Sequence, residues 1–360
     1  MTKPRVLLLS SYDTPSHRYW CKLLQSELDD YEWTYLTLPA RHFAWRVRGN
    51  SLTWGLGNYS ELNTTYSLII ATSMVDISAL KGFRPNLAAT PTIVYFHENQ
   101  FAYPLSQKQQ QDVHLELLAI YNAACATQVV FNSNYNKSTF MAGAEKLLKK
   151  LPDGIPESLL ESINHKTAVL PVPINREVIT PRKLEAHKPL KILWNHRWEY
   201  DKNPEDFFQA LIELQQRNIP FEVNIVGQTF RKIPPIFDEA KTKLIAHIKR
   251  WGFQSRENYE LCLRESDIVV SSAYHDFQGL ALQEAMAEGC IPLCPERVAY
   301  PEYVPTQCLY SNTGKDSSLL VQKLVDIYEN GLQESNDTLK PYLWSALKSK
   351  YNELIQKTIL

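Results

Sequence analysis

The sequence has no excess of charge of either sign: 38 lysines and arginines stand against 39 aspartates and glutamates, for a formal net charge of −1. Wholesale electrostatic attraction to nucleic acid or to an anionic membrane is thereby excluded, and any polyanionic partner has to be met by a local patch. The six cysteines (Cys21, Cys125, Cys262, Cys290, Cys294, Cys308) lack the spacing of a zinc ribbon or a redox pair, the nearest two being Cys290-Ile-Pro-Leu-Cys294. They read as reduced, mostly buried thiols. Near the N-terminus the apolar run Val6-Leu7-Leu8-Leu9 gives way at once to Ser10-Ser11, which is too short for a signal peptide or a membrane span. A soluble, cytoplasmic protein without membrane association is expected. There is no repeat of solenoid period and no low-complexity tract. His97-Glu98 has no second histidine four residues on, and no other His/Asp/Glu cluster has ligand spacing, so neither metal nor cofactor is expected.

What is present is length and alternation. A chain of 360 residues, 44% of them apolar, exceeds one small core and is expected to form two domains. Short apolar, β-branched or aromatic runs at 5–9, 33–38, 67–72, 92–96, 128–132 and 167–172, and again at 190–194, 221–226, 267–271, 290–294 and 308–310, read as strands. Stretches of helical period lie between most of them, at 19–28, 113–124, 134–149, 204–216, 241–249 and 280–288. Strand and helix alternating in this way predict α/β architecture with parallel sheets covered on both faces. The proline-rich, charged stretch 171–189 interrupts the series. The expected organisation is therefore two doubly wound, Rossmann-like domains, 1–180 and 190–335, facing each other across a cleft, with a C-terminal helix at 341–357 packing back on the first.

Two stretches of the second half carry chemistry. In 190–204, LKILWNHRWEYDKNP, an apolar strand opens directly into Asn195, His196 and Arg197, with Lys202 five residues further on. At the carboxyl end of a strand, a guanidinium fork and a mobile ammonium suit a diphosphate. Taken alone, the stretch is equally a solvated loop in which Glu199, Asp201, Arg197 and Lys202 pair among themselves. In 271–291, SSAYHDFQGLALQEAMAEGCI, a strand ends at Ser271-Ser272, a loop carries Asp276, and a helix starts near Gly279, whose missing side chain permits close approach of a ligand. Asp276 and Glu284, eight positions apart, are placed to reach the two ends of one long ligand, although a capping aspartate and an ordinary helix carboxylate would look the same.

This second stretch resembles the signature of retaining GT-B glycosyltransferases that use nucleotide sugars. Arg197 and Lys202 resemble that family's paired diphosphate-binding cations, Val226-Gly227 its glycine turn, and Gly252-Phe253 with Tyr259 to Asp267 its nucleotide-side segment. The family usually has Glu where this chain has Asp276. In the first half, Ser16-His17, Ser73-Met74-Val75-Asp76, Val94 to Gln100 with Tyr103-Pro104, and Val130 to Asn136 are similar to one branch, the tRNA-queuosine α-mannosyltransferases. The similarity continues through Trp194 to Trp198 and Pro292-Leu293-Cys294-Pro295. The resemblance implies transfer of mannose from GDP-mannose to the cyclopentenediol of queuosine at a tRNA wobble position, of the tRNA-Asp type. It implies Asp276, His97, Arg197 and Lys202 as catalytic residues. Ser16, His17, Gly227, Gly279, Leu280 and Glu284 join Arg197 and Lys202 in binding the donor. No obligate protein partner is implied. Two other readings stay open: a retaining GT-B enzyme acting on a small-molecule, lipid or glycan acceptor, and a non-catalytic nucleotide-sugar-binding module.

For the acceptor, the local basic candidate is Arg41-His42-Phe43-Ala44-Trp45-Arg46-Val47-Arg48. Read as extended chain, it sets Phe43, Trp45 and Val47 on one face and His42, Arg46 and Arg48 on the other. Arg41, Arg46 and Arg48 are the expected phosphate contacts and Trp45 the expected stacking platform, against the plainer reading of an aromatic strand with a solvated basic edge.

Overall fold

The computed structural model describes residues 2–103, 113–152, 154–156, 158–176, 182–230, 232–311 and 316–360. Pro104 and positions 177–181 of the expected interdomain connection lie outside the described residues. The chain divides into two compact units, Met1–Pro173 with Ser345–Leu360, and Ile174–Trp344.

The first unit is built on six parallel strands, β1 (Arg5–Asp13), β2 (Glu32–Pro39), β3 (Leu68–Thr72), β4 (Thr92–Phe96), β5 (Gln128–Phe131) and β6 (Thr167–Val169), in the order β2-β1-β3-β4-β5-β6. Helices α1 (Pro15–Glu27), α2 (Phe43–Leu56), α3 (Ile77–Phe83), α4 (Val113–Cys125), α5 (Asn134–Leu148) and α6 (Ser158–His165) connect them. All five residues of β3 and of β4 are buried, as expected of parallel strands covered on both faces. Leu7, Leu9, Trp54, Val94, Phe96, Phe131 and Phe140 belong to one core.

The second unit begins with β7 (Arg182–Leu184) and runs through β8 (Leu190–Trp194), α7 (Pro204–Gln216), β9 (Phe221–Val226), α8 (Ile236–Lys243), β10 (Ile248–Gly252), α9 (Arg256–Glu265) and β11 (Ile268–Val270). It continues with α10 (Leu280–Ala287), β12 (Ile291–Pro295), β13 (Leu309–Tyr310), α11 (Asp316–Asn330) and β14 (Leu332–Glu334). Its parallel sheet has the order β10-β9-β8-β11-β12-β13, while β7 and β14 form a separate antiparallel pair. Helix α12 (Trp344–Ile359) returns the chain to the first unit. There the Tyr351 hydroxyl accepts from Trp20 Nε1 at 3.0 Å and donates to Pro171 O at 2.8 Å.

Two local expectations are corrected, and one pair of strands is additional. Residues 43–48 are helical, not extended: Phe43, Val47, Asn50, Ser51 and Trp54 recur at helical period and turn inward, and the alternation of Phe43, Trp45 and Val47 is a coincidence of a short window. The helix expected over 241–249 ends at Lys243, and Ile248–Gly252 is an edge strand, whose lysine and arginine suit a position with one side open to water. The β7 and β14 strands are three residues each, too short to show alternation.

Candidate functional site

In an open parallel sheet the crevice lies at the carboxyl ends of the strands where the strand order reverses. In the second unit that point falls between β8 and β11, so the loop after β8 and the loop after β11 are brought side by side. The backbone ties them: Tyr274 N donates to Asp201 O at 2.8 Å, and Ser272 Oγ donates to Lys202 O at 2.9 Å. Lys202, ending a short 3-10 turn (Tyr200–Lys202), is buried. Its ammonium donates to His275 O at 2.6 Å and lies 3.3 Å from Asp201 Oδ2 and 3.8 Å from Asp276 Oδ1. Burial alone would raise the Asp201 carboxyl, but Lys202 and then Arg197 outweigh it and hold it below its ordinary range. Burial, reinforced by Lys202, pushes the His196 imidazole down to about 3 and that of His275 to about 4, so both are neutral around the cations. Arg197 is more open and pairs with Glu199 at 2.9 Å.

Asp276 is held from its other side by Tyr300, whose hydroxyl donates to Asp276 Oδ2 at 3.0 Å and lies 2.7 Å from Ser271 Oγ. Burial and the Asp276 charge push that phenol well up, so it stays a donor. Gly279 opens α10 at φ 80°, and a Cβ there would stand 2.4 Å from Tyr303 Oη, so both conformation and space call for glycine. At Gly227 the constraint is close backbone packing, since a Cβ would stand 1.9 Å from His196 O, and the turn after β9 lies flush against the loop after β8. Further along α10, Leu280 is half-buried at its first position, and the Glu284 carboxylate accepts from Tyr259 at 3.1 Å, with Arg256 at 3.5 Å. Asn195 Nδ2 reaches both Tyr259 Oη at 3.0 Å and Ala281 O at 2.8 Å, fastening the β8 loop to α10. The second unit thus gathers Arg197, Lys202, Asp276, Gly279 and Glu284 around adjoining loops. Tyr259 opens the nucleotide-side segment read from the sequence, whereas Tyr300 and Arg297 carried no sequence signal. Arg297 donates to Ser272 O and Ala273 O at 2.7 and 2.8 Å, fixing the loop that carries Asp276.

In the first unit, His97 follows β4 and stacks on His17 of α1, ring centroids 4.2 Å apart. Trp20 meets His97 edge-on at 5.0 Å. Both imidazoles are buried and lowered, His17 by burial against the opposing charges of Glu98 and Asp13, His97 by burial and by His17. Ser16 is exposed, its Oγ 3.3 Å from Thr14 Oγ1. The strand end is immobilised by asparagines: Asn132 Nδ2 donates to His97 O, Asn136 Nδ2 to Phe96 O, and Asn99 Nδ2 to Asn136 Oδ1, at 2.8–2.9 Å. These residues stand in the strings around 94–100 and 130–136, whose asparagine content was the available signal. Arg41, just before α2, and Trp45 and Arg48 on it are exposed, while Arg46 turns back to donate to Pro39 O at 3.2 Å. Arg46 and Arg48 therefore do not share a face. Among the described residues no group of His, Cys, Asp or Glu is arranged to hold a metal, and no helix is long and apolar enough to cross a membrane.

Residues 5–174 match the family model described as tRNA-queuosine alpha-mannosyltransferase N-terminal, and residues 175–335 match Glycosyl transferases group 1. The chain is 33% identical over 334 residues to the tRNA-queuosine alpha-mannosyltransferase of Drosophila melanogaster, covering 89% of this chain and 86% of that protein. Among solved structures, sucrose-phosphate synthase from Thermosynechococcus elongatus superposes with a TM-score of 0.73 at 12% identity, over 98% of each chain. The lipopolysaccharide outer core galactosyltransferase WaaB does so at 0.64 and 12%, over 98% of this chain and 99% of the other. At such identities the structures establish fold, and that fold is GT-B with two Rossmann-like sheets.

Proposed function

The chain belongs to the tRNA-queuosine alpha-mannosyltransferase family and is a glycosyltransferase, and from that premise we propose that it moves mannose from GDP-mannose onto the cyclopentenediol of queuosine in tRNA. The observation that carries this reading is the likeness to the Drosophila enzyme through both units, since a shared donor fold alone would leave the acceptor open.

The loops of the second unit supply the chemistry. In transfer, the bond from the anomeric carbon to the diphosphate breaks, a bond to an acceptor hydroxyl oxygen forms, and the hydroxyl proton passes to the departing phosphate oxygen. Negative charge grows on the diphosphate, and fixed cations aimed at it lower the barrier. Arg197 and Lys202 take that role without a metal. Lys202 is already desolvated and oriented, so little reorganisation accompanies its engagement. Asp276, held by Lys202 and Tyr300, addresses the hydroxyls of the sugar, and Glu284 the nucleoside end. His97, neutral and pinned by its neighbours, takes the hydrogen-bonding role toward the donor that the family resemblance implies, and Ser16 and His17 belong to the same donor-binding set.

Arg41, Arg48 and Trp45 form the tRNA surface. Helix α2 contains no carboxylate, and the Trp45 ring lies across Gly49 with 54% of the residue exposed, which suits stacking on an unpaired loop base. The test is incubation of the purified protein with GDP-mannose and queuosine-containing tRNA, followed by mass spectrometry of the nucleosides. Hexosylated queuosine is expected. Transfer to free queuosine as fast as to tRNA would overturn the tRNA acceptor, and product only with another nucleotide sugar would overturn the donor.

A further inference from the structure

We infer that Tyr300 is a positioning residue of the transfer: its hydroxyl ends a directed chain of hydrogen bonds that holds Asp276 apart from Lys202, so that acid and cation both stay available to the donor. This rests on the role proposed above for Asp276 at the donor sugar and adds to it the residue that sets the carboxylate in place. Asp276 stands in the irregular stretch between Val270 and Leu280, where no regular backbone pattern orients a side chain. Lys202 Nζ lies 3.8 Å from Asp276 Oδ1, near enough to attract the charge and too far to bind the oxygen by a hydrogen bond. Opposite charges left to themselves close to about 2.8 Å. Something restrains the acid, and the restraint comes from its other oxygen.

Tyr300 Oη lies 3.0 Å from Asp276 Oδ2 and 2.7 Å from Ser271 Oγ. A carboxylate has no proton to give, so the single phenolic proton goes to Asp276 and the Ser271 hydroxyl donates to Tyr300. Ser271 Oγ in turn accepts from Ala273 N at 3.4 Å. Each donor in such a chain polarises the next, which strengthens the last bond. The start of the chain is locked too, since Arg297 donates to Ser272 O and Ala273 O and pairs with Asp316 at 2.7 Å. A Cβ on Gly279 would stand 3.1 Å from Tyr300 Cε1, so the residue that opens α10 lies directly against the ring. The Asp276 side chain is 20% exposed whereas Tyr300 is fully buried, so a ligand reaches the carboxylate and not the phenol. Tyr300 therefore acts through Asp276. Without its hydroxyl the carboxylate is drawn toward Lys202, and a displacement of about 1 Å can cost a reaction as much as 100-fold.

The experiment compares the full wild-type chain with Tyr300→Phe, Asp276→Asn and the double variant. Hexose transfer from GDP-mannose to queuosine-containing tRNA is measured, together with equilibrium binding of GDP-mannose and of GDP. Tyr300→Phe keeps the ring against Gly279 and removes only the hydroxyl; it should lower kcat about tenfold or more. Its thermal melting should stay within roughly 3 °C of wild type. Asp276→Asn should lower kcat further, and adding Tyr300→Phe to it should cost less than about twofold more, because no charge remains for Lys202 to draw away. A hydroxyl of purely structural value would lower kcat by the same factor in both backgrounds. The ratio of GDP-mannose to GDP affinity, which needs no acceptor, should fall about threefold or more in Tyr300→Phe. Wild-type turnover in Tyr300→Phe, or an equal loss in both backgrounds, overturns the inference alone. Wild-type turnover in Asp276→Asn removes the sugar role of Asp276 and the role of Tyr300 with it. A wild-type chain that transfers no hexose to this tRNA removes the proposed acceptor, and the affinity ratio then decides the role of Tyr300 by itself.

Discussion

Lys202 and Arg197 stand on one loop, yet the Lys202 side chain is 8% exposed with Asp201 and Asp276 against it, whereas the Arg197 side chain is 46% exposed beside Glu199. Their removal therefore has different consequences. Arg197→Ala should lower turnover by ~10-fold or more and leave stability within about 1 kcal/mol, since an exposed pair contributes little. Lys202→Ala should lower turnover at least as far and also destabilise the protein by about 3 kcal/mol, because it strands the buried Asp201 carboxylate. Steady-state kinetics with GDP-mannose together with chemical denaturation separates the two effects. Unchanged kinetics in both variants would remove the diphosphate role from this loop. The cations themselves were legible in the sequence, since an apolar strand rarely runs straight into isolated positive charge. The hydroxyl that holds Asp276 was not: Tyr300 comes from beyond β12, and no spacing rule links it to position 276.

At the scale of the element, α2 shows how a short window misleads and what its correction changes. Reading 41–48 as extended put Arg46 and Arg48 on one face and made both, with Arg41, phosphate contacts. The helix separates them, with Arg46 turned onto Pro39 O and Arg41 and Arg48 left to solvent. Neutralising Arg41 and Arg48 together should flatten the log–log salt dependence of tRNA binding by roughly 1.4–1.8 units, whereas Arg46→Gln should leave it nearly unchanged. Trp45→Ala should weaken tRNA binding by roughly 1–3 kcal/mol without altering the slope, because stacking releases no counterions. Binding titrations between low and moderate salt read both quantities. Equal slopes for the wild-type and double-variant proteins would move the tRNA surface away from α2. The edge strand β10 escaped notice for a related reason: one open side lets lysine and arginine into a strand, and its alternation then blends with that of a charged helix end.

For the whole molecule, four buried histidines set a common response to acid. His17, His97, His196 and His275 all bind protons less readily than an ordinary imidazole near 6.5, burial being the leading cause in each. The unfolded chain then binds more protons below that value, so stability is full above about pH 6.5 and falls as the pH drops. His196 and His275, held near 3 and 4, should each remove about 1 kcal/mol between pH 6.5 and 5.5, with His17 and His97 acting in the same direction. Denaturant titrations at pH 7.5, 6.5 and 5.5 measure the loss, and a flat profile would mean that these rings are charged in the folded protein.

By itself the sequence determined two parallel α/β sheets and the strand ends that carry Arg197, Lys202 and Asp276. Parallel strands covered on both faces are written as unbroken apolar runs, and the loops between runs and helices are counted directly along the chain. Only the tertiary structure decided which side chains meet. The stack of His17 on His97 and the clasp of Tyr300 on Asp276 join residues far apart in the chain. Their contacts depend on strand order and on how helices lie over the sheet, and packing of that kind leaves no period or spacing along the chain from which to read it.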